Sequence, residues 1–110
     1  MNDPNTHCQP CEGNSSPLDA ATVRQYLQQR LHDWESNDAY TGISRTFRFK
    51  NYHQTIAFVN AIAWIAHRED HHPELSVGYN YCTVHFSTHA IKGLSDNDFI
   101  CAAKLNTLIE

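Results

Sequence analysis

Apolar residues recur along this chain with two different periods, and the switches between them predict the order of its elements. Leu18, Ala20, Ala21, Val23, Leu27 and Leu31 form a stripe at helical spacing behind Ser16 as N-cap and Pro17 at the first helical position, which predicts a helix to about Arg30. Trp34 to Tyr40 is a weak strand candidate, followed by turn chemistry at Asn37-Asp38 and Thr41-Gly42. From Ile43 to Lys50 the period becomes two. Ile43, Phe47 and Phe49 share one face, Ser44, Thr46, Arg48 and Lys50 the other, and only Arg45 interrupts the apolar side. One wet face of this kind suits an antiparallel sheet covered on a single side.

The helical period returns at about Tyr52 and runs to Arg68, with Asn51 as its cap. Ile56, Val59, Ile62, Ala63 and Ala66 make a stripe that Phe58, Trp64 and Ile65 widen, as expected of a central helix with more than one neighbour. Leu75 to Tyr79 and Tyr81 to Thr88 then read as strands. On the second of these, Cys82, Val84 and Phe86 point inward and Tyr81, Thr83, His85 and Ser87 outward. Ser95 and Asp98 have capping-box spacing, and Phe99, Ile100, Ala102, Ala103, Leu105 and Leu108 carry a last helix. The predicted order is αββαββα. Strands in adjacent pairs with short links favour hairpins, hence an α+β fold: a two-layer sandwich with a four-stranded antiparallel sheet and three helices on one face.

Composition narrows the picture. A chain of 110 residues is one domain in size. Residues 1–15, rich in Asn, Pro, Ser and Gly and without period, are expected to be a flexible tail, and 16–110 the folded domain. A net charge of −4 with eight scattered Lys and Arg gives no footprint for a phosphate backbone, so direct nucleic-acid binding is not expected. No apolar run approaches the roughly 20 residues of a membrane helix, and Met1 to Gly13 lacks the features of a signal peptide. A soluble, cytoplasmic protein is expected, and Cys82 and Cys101, inside apolar segments, fit buried free thiols of a reducing compartment.

The chemistry is concentrated in histidine. His71-His72-Pro73 follows the central helix, and His89 comes just after the last strand. Proline fixes its own φ and biases His72 toward extended geometry, which places the pair where a helix gives way to a strand. Free imidazoles titrate near pH 6.5, so a trio of them offers both a proton donor and a proton acceptor at neutral pH.

Taken together, His71-His72-Pro73-Glu74, Tyr79-Asn80, Thr88-His89, Gly93-Leu94-Ser95 and Asp98 resemble the pterin-4a-carbinolamine dehydratases, and the likeness extends over nearly everything after the tail. The resemblance implies the same αββαββα fold and homo-oligomers, commonly dimers or tetramers. It implies removal of water from 4a-hydroxytetrahydrobiopterin, left after an aromatic amino acid hydroxylase has used its cofactor, to give the quinonoid dihydropterin. A functional link to phenylalanine hydroxylase follows. The reaction needs a proton for the C4a hydroxyl and a base for the N5 proton, with no cofactor and no metal. His71 and His89 are expected as the acid/base groups, with His72 orienting the pterin or sharing the proton transfer. His67, Pro73, Glu74, Tyr79, Asn80, Thr88 and Asp98 are the expected substrate-binding set. Two departures are visible: His67 stands where many members have an acidic residue, and Leu75 where some have an aromatic one.

Other readings of the same residues make different predictions. His67, His71, His72 and His89 as metal ligands would make both activity and stability sensitive to chelators. A non-catalytic module would serve as a dimerisation partner or coactivator of a transcription regulator, as some family members do. His7-Cys8-x-x-Cys11 supplies half of a structural zinc site, with zinc shared between subunits as the sharp version and two free tail thiols as the bland one. His32, His53 and His85 read as polar surface, Tyr79 and Asn80 as a turn, and Asp98 first as a helix cap.

Overall fold

The computed structural model describes residues 6–10 and 16–109. Their elements are α1 (Ala20–Arg30), β1 (Glu35–Ser36), β2 (Ile43–Arg48), α2 (Tyr52–Glu69), β3 (Glu74–Val77), β4 (Tyr81–Phe86), a 3-10 turn at His89–Ile91, and α3 (Asp96–Asn106). The strands form one antiparallel sheet in the order β1-β2-β4-β3, and the three helices cover one of its faces. The α+β sandwich expected from patterning is the fold observed.

Alternation decides which face of the sheet is covered. Ile43 and Phe47 of β2 and Cys82, Val84 and Phe86 of β4 are buried, together with Val23, Leu31, Phe58, Ile62, Phe99 and Leu105 from the helical layer and its links. On the opposite face the register pairs Thr46 with Thr83, whose hydroxyls lie 2.8 Å apart. Arg45 does point to the apolar side, but it stays there by dividing its character. Its guanidinium lies 4.4 Å from the Phe47 ring centroid and its Nη1 donates to Asn106 Oδ1 at 2.7 Å, so the stem packs while the head stays paired.

Several boundaries differ from expectation: β3, β4 and α3 end at Val77, Phe86 and Asn106, two residues early, and the larger changes fall at the first helix and the weak strand. The first helix begins at Ala20, capped by Asp19, whose carboxylate accepts the Thr22 amide at 2.8 Å, and Ser16 and Pro17 lie outside it. The reason is tertiary: the Leu18 amide donates to the Leu94 carbonyl at 2.9 Å, which keeps the preceding chain extended. A Cβ at Gly93 would meet Pro17 at 2.7 Å, so this close approach requires glycine there. The weak strand shrinks to Glu35–Ser36, because beyond it Asn37 turns the chain, its Oδ1 accepting the amides of Thr41 and Gly42. At α2 the expected cap is in place, with Asn51 Oδ1 accepting the Gln54 amide at 2.9 Å. Asn51→Ala is expected to cost about 1 kcal/mol of stability, measurable as a lower urea midpoint with unchanged slope.

Candidate active site

The last turn of α2 determines where the histidine pair points. Asp70 takes a left-handed conformation (φ 52°, ψ 42°), and both its amide and that of His71 return to the Ala66 carbonyl. A helix closed in this way turns its chain sharply, and aspartate tolerates the positive φ better than most residues. The His71 ring then stacks on Phe86 at the end of β4, with centroids 5.8 Å apart and planes 8° from parallel.

His71 is also held by a buried carboxylate. Its Nε2 lies 2.7 Å from Asp98 Oδ1; the His71 side chain is 12% exposed and that of Asp98 is 0% exposed. Asp98 Oδ2 accepts the Thr88 hydroxyl at 2.8 Å and the Ser95 amide at 3.0 Å, the latter as part of the capping box that starts α3. Because Thr88 spends its proton on Asp98, the Ser95 hydroxyl donates in the 2.8 Å contact between the two. With every other neighbour donating to the carboxylate, His71 presents Nε2–H to it as well, which fixes the tautomer and leaves Nδ1 as the nitrogen available for exchange.

His89 reaches the same place from the other side. Thr88 and Gly93 form an isolated antiparallel bridge, Lys92 takes positive φ, and the 3-10 turn between them carries His89 exposed at its first position. A cavity of about 520 Å³ is lined by His71, His72, Thr88 and His89, with Asn97 from α3 and Cys8 to Pro10 from the N-terminal segment. His72, Glu74, His85, Ser87 and His89 line a smaller recess of about 90 Å³. The three imidazoles singled out in the sequence therefore share one cleft.

Other expected site residues are distributed unevenly. Thr88 lines the cavity, Glu74 the recess, and Asp98 acts from beneath through His71 and Thr88. Pro73 is half-buried just before β3. His67 is exposed against Trp64, 5.7 Å between ring centroids, and is not among the residues lining this cavity. His67 shares the exposed face of α2 with Trp64, three residues earlier, and the left-handed residue Asp70 breaks the helical phase before His71. Tyr79, 64% exposed, and Asn80 sit in the β3–β4 turn, at the end of that hairpin away from the cleft. There the carbonyl of Tyr79 accepts from Thr55 and that of Asn80 from the Phe49 amide, so neither lines the cavity's rim as expected.

The cleft also gathers residues outside the expected site set. His85 alternates outward, yet it lines the small recess, and its ring packs so close to Gly42 that a Cβ there would collide with it. Arg68, Glu69 and Asp70 line the main cavity. Their position beside the histidine pair was the available signal. Among the described residues no group of three or more His, Cys, Asp or Glu is arranged to hold a metal ion, and Cys11, part of the zinc motif, lies outside the described residues.

Residues 6–10, within the segment expected as a tail, lie across the cleft's edge. The Cys8 amide donates to Glu69 Oε1 at 2.7 Å, His7 Nδ1 is 2.7 Å from Oε2, and Gln9 exchanges two hydrogen bonds with the Asn97 side chain at 2.9 and 2.6 Å. Burial pushes the Glu69 carboxyl upward, but the Cys8 amide, His7 and Lys104 outweigh it and hold it below the usual glutamate range. A depressed carboxylate stabilises the fold above its unfolded value of about 4.3 and loses that contribution as pH falls through the lower folded value. Thermal melts across pH are therefore expected to show a parent advantage over Glu69→Gln at pH 6 that fades below about pH 4.

The fold and the cleft define a small α+β protein with three histidines lining a cavity of ligand size. The family described as pterin 4 alpha carbinolamine dehydratase matches residues 16–108, and the chain belongs to that family. A Nitrosomonas europaea protein provisionally named pterin-4-alpha-carbinolamine dehydratase is 56% identical over 103 residues, covering 94% of this chain and 89% of the relative. One from Legionella pneumophila strain Corby, with the same provisional name, is 53% identical over 103 residues, 94% and 91% of the two chains. The crystal structure of a transcriptional coactivator/pterin dehydratase from Brucella melitensis superimposes with a TM-score of 0.80 at 28% identity, covering 86% of this chain and all of the other.

Proposed function

We propose that this protein dehydrates 4a-hydroxytetrahydrobiopterin to the quinonoid dihydropterin by acid/base catalysis, with His71 and His89 transferring protons and His72 orienting the pterin. The observation that carries the reading is the convergence of His71, His72 and His89 on one cavity, with His71 braced by a fully buried Asp98. One imidazole delivers a proton to the C4a hydroxyl, the C4a–O bond breaks, and water leaves. The other accepts the N5 proton, and the electrons of that bond complete the new C=N. No electron enters or leaves, so proton transfer alone completes the step. The cavity's volume falls in the range of pockets for small organic ligands.

The test is direct. A phenylalanine hydroxylase generates the carbinolamine, and its ultraviolet absorbance is followed with and without this protein. Faster decay supports the dehydratase; decay at the spontaneous rate refutes it. By this reading the protein works beside such a hydroxylase in the cytoplasm, a compartment that suits the buried free thiol of Cys82. Among the described residues no helix is long and apolar enough to cross a membrane.

Self-association is part of the same reading. β3 is an edge strand whose four residues are all exposed, with Leu75 37% and Val77 40% accessible. An open edge with apolar side chains is a template for a second strand, and another copy of this chain can supply it as a homodimer or part of a homotetramer. Light scattering is expected to give a mass above that of one chain, and Val77→Lys to lower it. A coactivator role has one specific support, the dual description of the Brucella structure. It would use the same edge and would survive loss of His71.

A further inference from the structure

Cys8 and Cys101 are 93 positions apart in the chain, yet their sulfurs lie 3.4 Å from each other. Cys101 is fully buried in α3, whereas Cys8 is half-buried on the extended segment that forms one wall of the cavity. The segment is registered on either side of this contact. Asn97 binds both backbone polar groups of Gln9, Glu69 holds the Cys8 amide, and the Cys8 thiol points at the Asn97 carbonyl, 3.6 Å away. Bridging requires the sulfurs to approach further, to about 2.05 Å, and the partner carrying Cys8 is an extended segment rather than a packed helix.

We infer that Cys8 and Cys101 form an oxidative modification site: a low-molecular-weight disulfide converts them to an intramolecular disulfide that ties the N-terminal wall of the cavity to α3. The half-buried Cys8 thiolate attacks one sulfur of the reagent, forms a mixed disulfide and expels one thiol. Cys101 then gives up its proton, attacks the Cys8 sulfur and expels the second. Two protein thiols are oxidised and one small disulfide is reduced to two thiols. The order of attack follows from the surroundings. The contact with Cys8, burial, and the nearby Glu69 and Asp98 carboxylates all raise the Cys101 thiol above the usual range, so it is the resolving rather than the attacking group. The site does not depend on the dehydratase reading, because it is defined by chain geometry alone.

The test uses the full reduced chain incubated with oxidised glutathione. Intact-mass measurement is expected to show loss of two hydrogens, and peptide mapping without reduction a Cys8–Cys101 link. Cys11→Ser should form the same link, whereas Cys8→Ser and Cys101→Ala should not lose the two hydrogens. Amide exchange at Cys8 and Gln9 should slow in the oxidised parent, since both amides belong to the tethered segment. A Cys8–Cys11 link, a lasting glutathionyl adduct on Cys8, or no reaction in the parent would each overturn the proposal, even if both cysteine variants failed to fold.

Discussion

Alanine at His71 or at His89 is expected to slow carbinolamine dehydration by about 10²–10⁴-fold, the usual worth of a positioned acid or base. The two variants should differ in everything except rate. His89 is exposed on a short turn, so His89→Ala should leave the thermal midpoint nearly unchanged. His71 stacks on Phe86 and binds Asp98, so His71→Ala removes buried contacts and strands a carboxylate oxygen. It should therefore lose activity and stability together, by an added cost of about 1–3 kcal/mol. His72 is exposed in the same cleft and His72→Ala should act more on KM than on kcat if it orients the pterin. Parent-like rates for both His71→Ala and His89→Ala in the hydroxylase-coupled assay would refute the assignment.

The second large effect is expected at Asp98. With no side-chain exposure it collects the His71 ring, the Thr88 hydroxyl and the Ser95 amide, which ties the end of α2, the end of β4 and the start of α3 to one carboxylate. Asp98→Ala leaves three donors without an acceptor and opens the first turn of α3. Breaking a buried network of this kind typically costs about 3–5 kcal/mol, against a total stability of about 5–15 kcal/mol for a domain. The protein should unfold at clearly lower urea concentration. Asp98→Asn separates the two roles. The introduced amide keeps the shape, but one of its two positions is now a donor. If its oxygen keeps Thr88 and Ser95, its nitrogen faces His71 Nε2 and forces the proton to Nδ1, the nitrogen needed for exchange. Activity should then fall by orders of magnitude for a modest loss of stability, as expected wherever a carboxylate fixes a catalytic tautomer. An Asp98→Asn protein as active as the parent would show that Asp98 serves only as a helix cap.

This dual role was half visible in the chain itself. Ser95 and Asp98 at capping-box spacing announce a helix start, which is local information, and the helix does start there. The side chain that approaches Asp98 from just beyond α2 belongs to a residue 27 positions earlier, and nothing in the spacing reveals it. His85 illustrates the converse. Strict alternation puts it on the outward face, and it is on that face, but His72, Glu74, Ser87 and His89 meet around that position and make a recess of it.

What the sequence determined by itself is everything short in range. The period of β4, with Cys82, Val84 and Phe86 buried, the Asn51 cap of α2 and the helix-to-strand exit at His71-His72-Pro73 each follow from the backbone's response to its nearest neighbours. The family motif added His89 to that pair across an intervening hairpin. Tertiary structure alone decided which residues share the cleft. It left His67 and Tyr79 out, brought Arg68, His85 and Asn97 in, held Ser16 and Pro17 out of the first helix, and set Cys8 against Cys101. Periodicity records which face a side chain leaves from, but a cleft is made by elements meeting at their ends. That meeting depends on turns, caps and packing between segments far apart in the chain, whose contacts no local pattern encodes.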